Sequence, residues 1–151
     1  MMRALLPLLL LAAQPAAAEF RVTLANGEAA RLELVNEADC ATGPFEFMLD
    51  LRLAGRGARF AAEPAFRAEA GGERIAAAAP LGSDGRVLTL ALADLPPGGS
   101  LVLTLPMEDG RGAPLRDLSG AVAAVVFRSE RNDGEFGPEG AVRLAGFGCA
   151  G

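Results

Sequence analysis

From Phe45 to Leu53 the chain alternates: Phe45, Phe47, Leu49, Leu51 and Leu53 are large and apolar, while Glu46, Met48, Asp50 and Arg52 between them are mostly polar. A period of two puts five apolar side chains on one face of an extended strand and leaves the other face wet. Sheets with one solvated face are typically antiparallel. The runs Arg86 to Leu92 and Ser100 to Met107 repeat the pattern less strictly. Ala121 to Phe127 does not alternate, as expected of a strand buried on both faces, and Ala141 to Phe147 reads as a closing strand. Turn chemistry separates the runs: Asn26-Gly27 and Asp84-Gly85 tolerate positive φ and favour two-residue hairpins, and Pro96-Pro97-Gly98-Gly99 breaks another pair. The alanine-rich stretch from Ala61 to Ala79 has helical propensity, but Pro64 and Gly71-Gly72 cut it too short for a stable helix. The expected fold is all-β: an antiparallel sandwich of seven to nine strands, immunoglobulin-like or jelly-roll-like.

The first residues combine Arg3, an apolar run of about ten residues and an Ala-x-Ala close, the pattern of a secretory signal peptide cleaved after Ala18. The run is too short to cross about 30 Å of hydrocarbon. No Leu-x-x-Cys precedes the cleavage point, which argues against a lipid anchor there. Residues 19–151 are then a single domain, exported to the periplasm or beyond the cell, with no membrane insertion after cleavage. In an oxidising compartment an even, small number of cysteines reads as a disulfide, here Cys40 with Cys149. Two thiolates without histidine give too few zinc ligands, and a cysteine nucleophile lacks an imidazole base.

Nineteen acids against 14 basic residues give a net charge of −5, which becomes −6 once the leader takes Arg3 away. An acidic chain without clustered cations is a poor ligand for nucleic acid or anionic lipid. The absence of His, Lys, Tyr and Trp removes the Ser-His-Asp and Cys-His arrangements, a Schiff base and a phenolic acid. No serine stands in a Gly-x-Ser-x-Gly elbow. Catalysis would rest on carboxylates and arginines, so an enzyme is not expected.

Two stretches concentrate acids and glycines: Met107 to Gly120 and Ser129 to Gly140. Read as loops, they offer hard oxygen donors of the kind calcium takes, from Glu108, Asp109, Asp117, Asp133 and Glu135. The spacing is not that of an EF-hand. With Gly134 at the loop glycine, Ser129 and Arg131 fall at ligand positions one and three, and Gly140 at twelve. The plainer reading is a pair of solvated loops neutralised by Arg111, Arg116, Arg128 and Arg131. Arg56 and Arg59 after the best strand, and Phe136 in the second loop, are candidate partner contacts; surface charge and local packing are the competing readings.

Asn36, Cys40, Gly43 and Pro44, followed by an alternating strand ending in Asp50-Leu51, resemble small exported bacterial proteins described as aggregation-factor-core-like. The stretch Leu95 to Gly110, with its Pro-Gly turn, strand and Glu108-Asp109 pair, carries a second likeness. The resemblance implies an adhesion or cell-surface role with a calcium dependence. The functional expectation is an exported, non-catalytic binding or adhesion module of the envelope or surface, acting on an envelope or extracellular protein through sheet edges and acidic loops. A small-ligand carrier or a carboxylate enzyme is the alternative.

Overall fold

The computed structural model describes residues 20–25, 31–61, 67–70, 73–75, 84–92 and 94–145. The expected leader, the Asn26-Gly27 turn and Cys149 lie outside them. The described residues form twelve strands and no helix: β1 Phe20–Ala25, β2 Arg31–Asn36, β3 Phe45–Asp50, β4 Arg59–Phe60, β5 Arg67–Ala70, β6 Glu73–Ile75, β7 Val87–Leu92, β8 Ser100–Thr104, β9 Met107–Glu108, β10 Val122–Phe127, β11 Glu130–Glu135 and β12 Ala141–Leu144. A six-stranded antiparallel sheet runs β12-β1-β2-β8-β5-β6, a four-stranded one runs β11-β10-β3-β7, and β4 pairs with β9. Among the described residues no helix is long and apolar enough to cross a membrane.

The count exceeds the expected seven to nine for identifiable reasons. Pro106 has no N–H to donate, so the run from Ser100 to Met107 splits into β8 and β9. The alanine-rich stretch holds two short strands, β5 and β6. Residues 130–135, expected as loop, are an edge strand joined to β10 by a turn at Arg128-Ser129, with Arg128 at φ 53°. The strand of the opening alternation stops at Asp50. Its carboxylate takes the Arg52 backbone N–H (2.9 Å) and guanidinium (2.6 Å), turning the chain so that Leu53 is 73% exposed instead of in the core.

The two large sheets pack around one core. Leu32, Leu34, Leu101 and Leu103 from the six-stranded sheet face Phe47, Leu49, Leu88 and Leu90 from the other, all essentially inaccessible to water. Phe20 of β1 bridges the sheets by packing on Phe45 and Phe127, each at 5.6 Å between ring centres. On one side of the molecule β11 comes close to β12. A Cβ at Gly134 would stand 2.5 Å from Val142 Cγ2, so only glycine fits there.

Among the described residues one polar side chain lies wholly inside, that of Asn36 at the end of β2. Its amide nitrogen donates to the carbonyls of Cys40 (2.9 Å), Leu95 (3.0 Å) and Pro96 (3.1 Å), and its Oδ1 accepts from Ala38 N–H (3.0 Å). Its backbone is bonded to Gly98 and Gly99. The β2–β3 and β7–β8 crossovers, which carry the chain between sheets, are thus tied together at one residue. Truncation strands buried carbonyls, each worth roughly 1–3 kcal/mol. Asn36→Ala is expected to lower unfolding stability by about 3 kcal/mol in urea titration. Asn36→Asp is expected to do worse, because a carboxylate has no donor for the three carbonyls.

Candidate functional site

At one end of the packed sheets two turns meet backbone to backbone. The first follows β3: Ala54 N–H returns to Leu51 (3.1 Å), buried Ala54 and Ala58 anchor it, and Arg56 and Gly57 both adopt left-handed φ, 63° and 66°. The second follows β9. Gly110 N–H donates to the Arg56 carbonyl at 2.8 Å, and a Cβ on Gly57 would come within 3.2 Å of Gly110 Cα. Arg56 is thus held in a conformation that side-chain-bearing residues rarely occupy, a kind of strain that collects at functional sites.

Asp109 organises the second turn. Its Oδ1 accepts from the N–H of Arg111 (2.8 Å) and Ala113 (3.0 Å), and its own N–H reaches the Ala113 carbonyl (2.8 Å). Further along, Asp117 Oδ1 accepts from Ser119 Oγ (2.6 Å) and N–H (2.9 Å), while Leu118 is buried beside it as an anchor. Between the turns lies an open groove of about 310 Å³, lined among others by Arg56, Asp109, Leu115, Arg116, Asp117 and Ser119, with Arg111 at a second hollow beside Arg56. Both carboxyls are held below the ordinary value of 3.8: Asp109 by the Ala113 and Arg111 amides, Asp117 by the Ser119 hydroxyl and amide. The charge of Arg56 adds to both shifts.

The expected acids and arginines divide into three groups. Glu108 and Arg59 are opposite each other on β9 and β4 and form an ion pair at 2.8 Å, so a candidate ligand and a candidate partner contact neutralise one another. Asp133 and Glu135 are on β11, exposed, with Asp133 ion-paired to Arg131 at 3.2 Å. Asp109, Asp117 and Arg56 share the groove. Among the described residues no three of His, Cys, Asp and Glu gather where they would hold a metal ion. Phe136 is 1% exposed; its ring belongs to the core, while its N–H and carbonyl bond Ala121 and Gly120. Its ring is not offered to a partner.

Arg111 and Arg116 do not neutralise the loop acids by contact. Together with Arg56 they are exposed and, among the described residues, bonded to no carboxylate. The acids nearest them bond their own turns through Oδ1, and the three guanidinium groups are divided between the groove (Arg56, Arg116) and the hollow beside it (Arg56, Arg111). Compared with known proteins, the chain matches no family model and no curated sequence.

The sign of the pH response follows from these bonds. Asp50, whose bond to Arg52 is the largest cause, Asp109 and Asp117 all have carboxyls lowered by folding. Their stabilisation is complete above the unfolded carboxyl value and is lost as pH falls through the lower folded values. With no histidine to titrate, the melting temperature is expected to stay level from about pH 5.5 to 8 and to drop below about pH 4. Asp117→Asn should make that acid decline shallower in a pH series of thermal melts.

Proposed function

We propose that this chain is an exported, non-catalytic binding module of the cell envelope or surface, and that the groove between the 52–58 and 109–119 turns takes an acidic segment of an envelope or extracellular protein. The observation that carries the reading is a set of three guanidinium groups without an ion-pair partner among the described residues: Arg56 and Arg116 line the open groove, and Arg111 lines the hollow that shares Arg56 and Asp109 with it. Guanidinium forks match carboxylates in a bidentate geometry and keep their charge at any working pH. The turn-to-turn bond and the two amide-locked aspartates hold the groove walls before any ligand arrives, which reduces the ordering cost of binding. Acid–base work on a pair of carboxyls needs one of them protonated near neutrality. Asp109 and Asp117 are both pushed the other way, which favours binding over catalysis.

The test is retention of the mature protein on an immobilised short peptide carrying four glutamates between neutral flanks, with the same peptide carrying glutamines as the control surface. The wild type is expected to bind the glutamate peptide in a salt-sensitive way, and the triple variant Arg56→Ala, Arg111→Ala, Arg116→Ala to lose at least tenfold in affinity. Equal binding by the variant, or none by the wild type, would sink the proposal.

The sandwich in this reading is immunoglobulin-like or jelly-roll-like and stapled by Cys40 and Cys149. Support comes from where the two chain segments emerge. Phe20 pairs with Asn36 on one side and Leu144 on the other, so β2 and β12 leave the sheet at the same end, about 10 Å apart. Glu37, just after β2, binds Arg143 of β12 at 2.7 Å, and Asn36 fixes Cys40 four residues on. Four residues separate Leu144 from Cys149, enough chain to cover that gap. The oxidised mature protein is expected to resist alkylation until reduced, and reduction to lower stability by roughly 4 kcal/mol.

A further inference from the structure

The groove between the 52–58 and 109–119 turns holds carboxylates as well as guanidinium groups. Asp109 and Asp117 line it together with Arg56 and Arg116, so its charges are of both signs. Each aspartate bonds its own turn through one oxygen only. Asp109 Oδ1 takes the Arg111 and Ala113 amides, and Asp117 Oδ1 takes the Ser119 amide and hydroxyl. Among the described residues Oδ2 of neither aspartate has a bonded partner. After those turn bonds, the charge of Arg56 is a further cause that lowers both carboxyls. Arg56 thus stands within reach of each carboxylate, yet it contacts neither.

Elsewhere on the surface, neighbouring acids and arginines close on one another: Arg59 on Glu108 at 2.8 Å, Arg52 on Asp50 at 2.6 Å, Arg131 on Asp133 at 3.2 Å. In the groove the turns hold the carboxylates and the two signs stay apart, which leaves anions and cations interleaved around open space. An occupant of one sign meets only half of this arrangement. An all-acidic segment satisfies Arg56 and Arg116 but brings its own carboxylates against Asp109 and Asp117, and like charges set side by side are costly. Calcium is no better suited. It takes about six to eight oxygens, and among the described residues no three acids gather.

We infer that the acidic segment taken by this groove carries a lysine or arginine among its acids, with its carboxylates on Arg56 and Arg116 and its cation drawn to the free Oδ2 atoms of Asp109 and Asp117. This charge pattern rests on the acidic-segment reading of the groove and adds what that segment must contain. The arginines supply the attraction, and the two aspartates choose between one acidic segment and another. A groove that responded to negative charge alone would bind the segment less well once a lysine entered it. The two possibilities therefore differ in sign.

Titration of the mature, oxidised protein with two labelled peptides, read by fluorescence anisotropy, tests the pattern. Both carry four glutamates between neutral flanks, as Glu-Glu-Lys-Glu-Glu or Glu-Glu-Gln-Glu-Glu, so the lysine peptide is the less negative one. The wild type is expected to bind the lysine peptide about threefold more tightly. In the double variant Asp109→Asn, Asp117→Asn, which keeps an Oδ1 acceptor for each turn, that preference is expected to disappear or reverse. A cooperative melt and an unchanged far-ultraviolet spectrum confirm that the variant is folded, and the wild-type comparison needs no variant at all. Wild-type binding of the glutamine peptide as tight as that of the lysine peptide, or tighter, overturns the inference and leaves the acidic-segment reading standing. A lysine preference that survives in the double variant overturns it too, because the cation is then read elsewhere. Binding of neither peptide removes the acidic-segment reading itself, and this charge pattern with it.

Discussion

The buried amide of Asn36 is the interaction on which the rest of the structure leans. Strands in a two-layer fold must change layers, and each crossing carries backbone groups past the rim of the core, where water no longer reaches them. Here the crossing after β2 and the one before β8 pass side by side, and Asn36 satisfies both with one side chain and one peptide unit. A hydrophobic residue at that position would strand several carbonyls. Thr42 is a lesser copy of the device: its backbone N–H reaches the Leu95 carbonyl at 3.0 Å and its hydroxyl accepts from Leu95 N–H at 2.8 Å. Between them the two residues fix the loop that delivers the chain into β8, and so the register of the central β2–β8 pair.

At the opposite end the same problem has a different solution. The turns at 52–58 and 109–113 contain no buried amide; they satisfy each other through the Arg56 carbonyl and through carboxylates that cap their own backbones. A carboxylate engaged by two amides is held in place and held ionised, and its direction is set by its own turn rather than by the arginines near it. Arg56, Arg111 and Arg116 make no ion pair among the described residues, unlike Arg59, which holds Glu108. The groove keeps cationic groups that an ordinary surface would have neutralised.

How much of this the sequence discloses depends on whether a residue's role leaves a periodic trace. β3 was legible because Phe45, Phe47 and Leu49 each point inward between polar neighbours. β11 was not, because its inward positions are Asn132 and Gly134, and Gly134 must stay bare where β12 crowds it. A strand whose inner face is filled by a neighbour's side chains shows no hydrophobic alternation of its own. Leu53 misled in the other direction: the alternation runs on past Asp50, but the Asp50–Arg52 pair turns the chain before Leu53 can enter the core. At the groove, Asp109 and Asp117 were legible as chemistry-bearing residues. Their amide partners were not, since an aspartate that caps a turn and one that binds a ligand have the same letter. Arg56 gave no sign of its positive φ, which follows from a contact with a segment more than fifty residues away.

The charge layout resolves what looks like a contradiction, an acidic chain with a cation-lined groove. Glu37 bridges Arg21 and Arg143, Glu108 holds Arg59, Asp133 holds Arg131 and Asp50 holds Arg52. Most arginines away from the groove with described contacts are therefore spent on internal partners, whereas Arg56, Arg111 and Arg116 are not. At physiological ionic strength the field of distant acids decays within about 8 Å, so a group entering the groove senses the nearby guanidinium ions and the two lining aspartates more than the net negative charge. At longer range the net charge still repels an extended polyanion. For the partner proposed above, the two ranges together favour a short acidic segment carried on an otherwise neutral or basic surface. A partner of that kind would meet the groove's attraction without the penalty that a uniformly acidic one would incur.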